Sequence, residues 1–140
     1  MRRLLSFASA FLFASAASLM GPGCGGLPAR PATELLTELR VSMDRPVSSG
    51  EQSAAQSRRV EEALDAHALD DMTRLEVQNS IGLGEDCAGH PRCAEAGFQG
   101  SDWFYEVGEA AEGYAGPLPI LIVGFDRTGA VTRTWNLRTH

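Results

Sequence analysis

The chain has no lysine. All twelve basic residues are arginine, set against eighteen acidic ones, for a net charge of −6 over 140 residues. Such a balance suits neither general nucleic-acid binding nor adhesion to anionic lipid, both of which need a basic footprint. A phosphate-binding loop is also missing. Gly82-Leu83-Gly84 is too short and lacks the Lys-Ser/Thr pair that phosphate binding needs. Carboxylates are scattered: Glu106, Glu109 and Glu112 in one stretch, Asp65, Asp70 and Asp71 in another. A solvated acidic surface accounts for them better than a glycoside-cleaving pair. Cysteine is scarce, with three in all.

What is present begins at the N-terminus. Met1-Arg2-Arg3 is a positive segment, Leu4 to Met20 is apolar or small throughout, and Gly21-Pro22-Gly23 breaks the run. This is the pattern of an export signal. Cys24 sits where a lipoprotein signal places its lipidated cysteine. Ordinary cleavage within Ala14-Ser15-Ala16-Ala17 is the competing reading. The expected division is a signal peptide over 1–23, a Gly/Pro/Arg-containing tether over 24–32 and one domain over 33–140. Loss of residues 1–23 removes two arginines and no acid, giving a mature net charge of −8.

Export bears on the other two cysteines. With Cys24 lipidated, Cys87 and Cys93 remain as an even pair in an oxidising compartment. Gly89 and Pro91 between them let the chain turn back, so a disulfide is expected. It would shape the irregular stretch Leu83–Ser101 into a rigid projection with His90 at its tip. Metal is the alternative use of Cys87-x-x-His90-x-x-Cys93, with His67 or His140 as fourth ligand, but the spacing is not the usual zinc-finger pattern. A Cys-His dyad would need a third, orienting group, and none is readable. The expectation is therefore no catalytic residue, no metal and no cofactor.

Periodicity supplies the elements. Between Thr33 and Met43, Leu35, Leu36, Leu39 and Met43 would share a helical face, while Leu39, Val41 and Met43 alternate as in a strand; the reading taken is a strand at Leu39–Met43. Glu51–His67 is a helix, with Val60, Ala63, Leu64 and His67 at i, i+3, i+4 and i+7. Its outer face carries an Arg58–Glu62 ion pair. Thr73 caps a second, shorter helix, with Glu76 completing a capping box and Gly82 at its end. The short loop between these helices predicts a helix hairpin. Trp103 and Tyr105 share one face of a strand, Phe104 and Glu106 the other.

Ile120 to Phe125, a turn containing Gly129, and Val131 to Leu137 then form a β-hairpin. Val131, Trp135 and Leu137 are read on one face, with Arg133 among them. The predicted core is Val60, Leu64, Leu75, Val77, Ile81, Trp103, Tyr105, Ile120, Ile122, Phe125, Val131 and Trp135. On the second strand, Leu121, Val123 and Phe125 compete with Ile120 and Ile122 for the inward face. The fold class is α+β: a helix hairpin on a three-stranded antiparallel meander, with an extra N-terminal strand as an option.

The order of these motifs resembles the BamE (SmpA/OmlA) family of small outer-membrane lipoproteins. Met72-Thr73 with Val77 and Ile81-Gly82 is similar to that family's Met-Thr…Val…Leu-Gly helix. Trp103-Phe104-Tyr105 is similar to its Trp-x-Tyr strand. Phe125-Asp126 with Gly129 and Val131 is similar to its Phe-Asp-x-x-Gly-x-Val hairpin. The match covers Ala68 to Val131. Asp71 stands where the family usually has glycine, no proline closely follows Gly82, and the cysteine loop lies outside the pattern. The resemblance implies a non-enzymatic, lipid-anchored protein at the periplasmic face of the outer membrane. It implies envelope-protein partners and a role in outer-membrane protein assembly or envelope maintenance. The fold also resembles secreted inhibitors of β-lactamase, so a binding or inhibitory module acting on an exported enzyme is the alternative.

Overall fold

The computed structural model describes residues 28–139; the segment expected to be a signal peptide, Cys24 and His140 lie outside them. Helix α1 (Ala32–Met43) occupies the stretch where the strand was expected. Leu35, Leu36, Leu39 and Ser42 form its buried stripe, a helical spacing that the alternation of Leu39, Val41 and Met43 masked. Val41, inward on neither face, is 52% exposed. Strand β1 (Pro46–Val47) follows, then helix α2 (Gly50–Asp65), capped by the Ser49 side chain on the Gln52 N–H. Helix α3 (Arg74–Ile81) begins with the expected capping box between Thr73 and Glu76 and stops at Gly82, whose φ is 99°.

Leu83–Ser101 is not structureless. It holds strand β2 (Glu85–Asp86), a single 3₁₀ turn over Cys87–Gly89 and helix α4 (Pro91–Glu95). Strands β3 (Trp103–Glu106), β4 (Glu109–Ala110), β5 (Ile120–Phe125) and β6 (Val131–Leu137) complete the chain. The main sheet is antiparallel in the order β2-β3-β5-β6, so the expected three-stranded meander gains β2 at one edge. β1 and β4 form a separate two-residue parallel pair. No helix among the described residues is long and apolar enough to cross a membrane.

The helical layer and one sheet face share the larger core. Leu35, Leu36 and Leu39 of α1, Val60 and Ala63 of α2, and Val77 and Ile81 of α3 meet Trp103, Tyr105, Leu121, Val123 and Val131. Helix α1 packs against both α2 and α3 and is thus the shared partner in the layer, rather than α2 and α3 pairing with each other. Leu75, expected in the core, is 64% exposed, because the buried positions of so short a helix are Val77 and Ile81 alone. His67 lies past the end of α2 at φ 54° and is exposed, so it is not on the apolar face of that helix. Glu62 pairs with Arg30 across the helices at 3.3 Å, not with Arg58.

The sheet has a second core on its other face. Phe104 and Ile122 are buried there against Cys87, Cys93 and Phe98, with Ile120 and Trp135 at the margin. Both faces of β5 are therefore used: Leu121 and Val123 face the helices, Ile122 the cysteine segment. Val131 and Trp135 do not share a face. Phe125 pairs with Val131 and Gly124 with Arg133, so Thr132 is an extra residue in β6. A bulge of this kind shifts the alternation by one, and sends Arg133 and Trp135 to the side opposite Val131.

Candidate functional site

Three side chains singled out by the sequence come together in the segment after α3, but as a structural cap. Cys87 and Cys93 form a disulfide with Cα atoms 5.6 Å apart. Both are buried, at 4% and 1% exposure, beneath rather than on the surface. Phe98 is drawn in with them. Its ring lies on Gly124, where a Cβ would come within 3.0 Å of it, and under the guanidinium of Arg133 at 3.9 Å. Bulky strand residues would exclude that ring, which gives Gly124 a packing reason within β5. His90 is not displayed at a tip. Its ring is stacked on Phe104 and its Nε2 lies 2.8 Å from Glu85 Oε2. The sulfurs are bonded to each other, and no group of three or more His, Cys, Asp or Glu among the described residues is placed to hold a metal.

A buried carboxylate that the sequence reading passed over joins the cap to the hairpin. Asp102 is 4% exposed. Its Oδ2 accepts from the Gln99 N–H at 2.8 Å, and its Oδ1 from the Phe125 N–H at 3.0 Å. Asp before a strand is a common turn residue, and only the fold brings Phe125 to it.

Beside the cap lies an open cleft of about 410 Å³, walled by the C-terminal ends of α1 and α3 and by β3. Ile81, Gly82, Phe104 and Tyr105 are among the residues that line it. Burial pushes the Tyr105 hydroxyl well above its ordinary range, which keeps the proton available for donation to the Gly82 carbonyl at 3.0 Å. Gly84 passes so close to the strand that a Cβ there would lie 2.6 Å from Trp103 Cβ. Leu83, 68% exposed, stands on the lip. Asp44, Glu85, Glu106 and Glu109 form the rim, with Arg40 the one cation among the described residues that line it. That guanidinium donates to the Asn79 carbonyl at 2.9 Å, near the end of α3.

A more polar groove flanks the β5–β6 turn. Arg74 stacks over Phe125 at 4.0 Å and near Trp103 at 5.3 Å, and donates to the Ser101 carbonyl. Arg74 is thereby engaged in holding α3, β3 and the hairpin together. The arrangement is a concave surface with an acidic rim. Comparison with family models, with curated proteins and with solved structures found no match.

Proposed function

We propose that this is an exported, lipid-anchored protein of the periplasm that works by protein contact at the outer membrane. The buried Cys87–Cys93 disulfide carries the reading. A sheet face closed by a disulfide-linked segment is a device of oxidising compartments. It accords with the export pattern of residues 1–23, with Cys24 as the lipidated residue, and with the absence of acidic residues directly after Cys24, which in many bacteria favours the outer membrane. The similarity to the BamE family gains physical support at one of its departures. Asp71, where that family usually has glycine, adopts φ 60°, the backbone region glycine favours. By this reading the protein has a role in outer-membrane protein assembly or envelope maintenance. The cleft favours a second reading, an inhibitory module for an exported enzyme, because it offers a concave contact surface at the C-terminal end of α1.

Fractionation with a Cys24→Ser variant tests the anchor. The variant is expected in the soluble periplasm and the parent in the outer-membrane fraction, since two or more acyl chains hold a soluble domain at a bilayer. An unmodified mass for the mature parent chain would sink the anchor. A pull-down from detergent-solubilised envelope separates the two contact readings: assembly-machine subunits support the first, a single hydrolase the second.

A further inference from the structure

We infer that β6 is the contact strand of a symmetric dimer: a second copy of this chain pairs with it edge to edge, antiparallel, with the two-fold axis at Trp135. The inference goes beyond the contact reading above and does not depend on the anchor.

β6 ends the sheet, with β5 as its one strand neighbour among the described residues. The ladder fixes which way its backbone turns. The Val107 N–H donates to the Pro119 carbonyl, and the Phe125 N–H to Asp102, so the odd-numbered residues of β5 turn their backbone toward β3. Ile120, Ile122 and Gly124 therefore bond to Leu137, Trp135 and Arg133. Thr134 and Asn136 turn their N–H and carbonyl groups outward, and no described backbone group bonds them there. The start of the strand is closed, because the Val131 N–H donates to the Met72 carbonyl. The open edge is thus Arg133–Leu137, past the bulge at Thr132. It contains no proline and no lysine, and its one charge, Arg133, is turned onto Phe98. An open edge without such guards is a template for another strand.

Self-complementarity names the occupant. Antiparallel strands that meet with Trp135 opposite Trp135 place Thr134 opposite Asn136 and Arg133 opposite Leu137, on both sides of the axis. Thr134 and Asn136 are the residues with outward groups, so each such pair exchanges both backbone hydrogen bonds. Trp135, Leu137 and Ile120 share the cap side of the sheet and are only partly buried, because Phe98 closes over Gly124 and the cap stops short of them. The two indoles would meet at the axis and cover this strip. On the helix side, Asn136 Nδ2 has no hydrogen-bond partner among the described residues. A turn of that amide would give it the hydroxyl of the other copy's Thr134. Arg138, just past the edge, is paired with Glu61 at 3.7 Å, and this register sets no two like charges opposite each other.

The test uses the purified full chain in detergent, disulfide intact. The parent is expected to sediment as a concentration-dependent dimer. Thr134→Pro removes an outward N–H and leaves the ladder to β5 in place, since proline is accepted where an edge N–H faces solvent. It should weaken association by about tenfold or more, with the near-ultraviolet circular dichroism unchanged. Leu75→Ala, at the exposed leucine of α3, should leave association as it is. Cysteine cross-linking under mild oxidation reads the register. Across a non-hydrogen-bonded pair the Cα atoms lie about 4.5 Å apart, within reach of a disulfide. Trp135→Cys should therefore give a linked dimer. Arg138→Cys should not, because its two copies would lie about 20 Å apart along the strands. A monomer at every concentration, association indifferent to Thr134→Pro in a folded variant, or equal linking at Arg138→Cys would each overturn the proposal. Faster linking at Thr134→Cys would overturn the axis at Trp135, and equal loss in Leu75→Ala would move the interface to α3. Should Thr134→Pro fail to fold, the cross-links decide alone. Localisation plays no part in these readouts, so their failure and that of the anchor are separable.

Discussion

The imidazole of His90 lies flat on the ring of Phe104, with centroids 3.8 Å apart and planes 10° from parallel. Phe104 is the contribution of β3 to the second core, so the stack fastens the cap from outside while the disulfide closes it from within. Through Glu85 the same histidine is tied to β2 and to the rim of the cleft. The cap and the cleft therefore share a wall.

The disulfide should be a determinant of stability, not a reactive group. Its seven-residue ring contributes about 2 kcal/mol by chain entropy, and losing it also frees Phe98 and Phe104 to solvent. Cys87→Ala with Cys93→Ala should lower stability by about 2–4 kcal/mol. Urea denaturation with and without reductant measures this. A midpoint indifferent to reduction would mean that the cap is held by its apolar contacts alone.

The two faces of β5 make a paired prediction with Leu75. Ile122 is fully buried against the cap, so Ile122→Ala should cost about 2–5 kcal/mol. Leu75 is 64% exposed, and Leu75→Ala should fall within about 0.5 kcal/mol of the parent. Similar costs for both would place Leu75 in an interface or Ile122 outside a core. Trp135, only half-buried at the margin of the cap, should cost less on truncation than a fully buried ring would.

These assignments show which features were legible in the sequence. The Thr73–Glu76 box and Gly129 at φ 85° are local chemistry, fixed by residues within a few positions of each other. The pairing of Cys87 with Cys93 followed from compartment and parity. Thr132 was not legible: one extra residue in β6 reverses every side chain after it, and nothing in Val131–Leu137 marks the slip. Helix α1 was expected as a strand because Leu39, Val41 and Met43 also alternate at period two; Leu35, Leu36 and Leu39 keep the helical spacing, and the buried Ser42 hydroxyl extends their stripe by donating back to the Glu38 carbonyl. The second core was hidden for a different reason. Phe98, Phe104 and Ile122 have no common periodicity and meet only when the cap folds onto the sheet.

Asp71 supplies a backbone test. At φ 60° a residue with a Cβ is strained, and aspartate is among the few that accept it. Asp71→Gly should be neutral or slightly stabilising, whereas Asp71→Val should cost about 1–2 kcal/mol. Equal effects in thermal denaturation would mean that the left-handed conformation is not required before Met72-Thr73. The two substitutions leave the capping box itself in place, so a difference reports the backbone alone.

Acid should expose the capping chemistry. The Thr73 N–H, and then its hydroxyl, hold the Glu76 carboxyl below its ordinary range. The Thr128 hydroxyl, followed by the Ala130 N–H, does the same for Asp126 in the β5–β6 turn. Both folded pKa values lie below the unfolded ones, so the unfolded chain takes up protons first as pH falls. The stabilisation is fully present above the unfolded values, about 4, and is lost as pH drops through the lower folded values. Glu76→Ala with Asp126→Ala should therefore lower the thermal midpoint at neutral pH and flatten its fall in acid, the two curves converging at the acid end. Parallel curves down to that end would assign the acid sensitivity to other carboxylates, such as Glu38, which the Arg30 guanidinium likewise holds down.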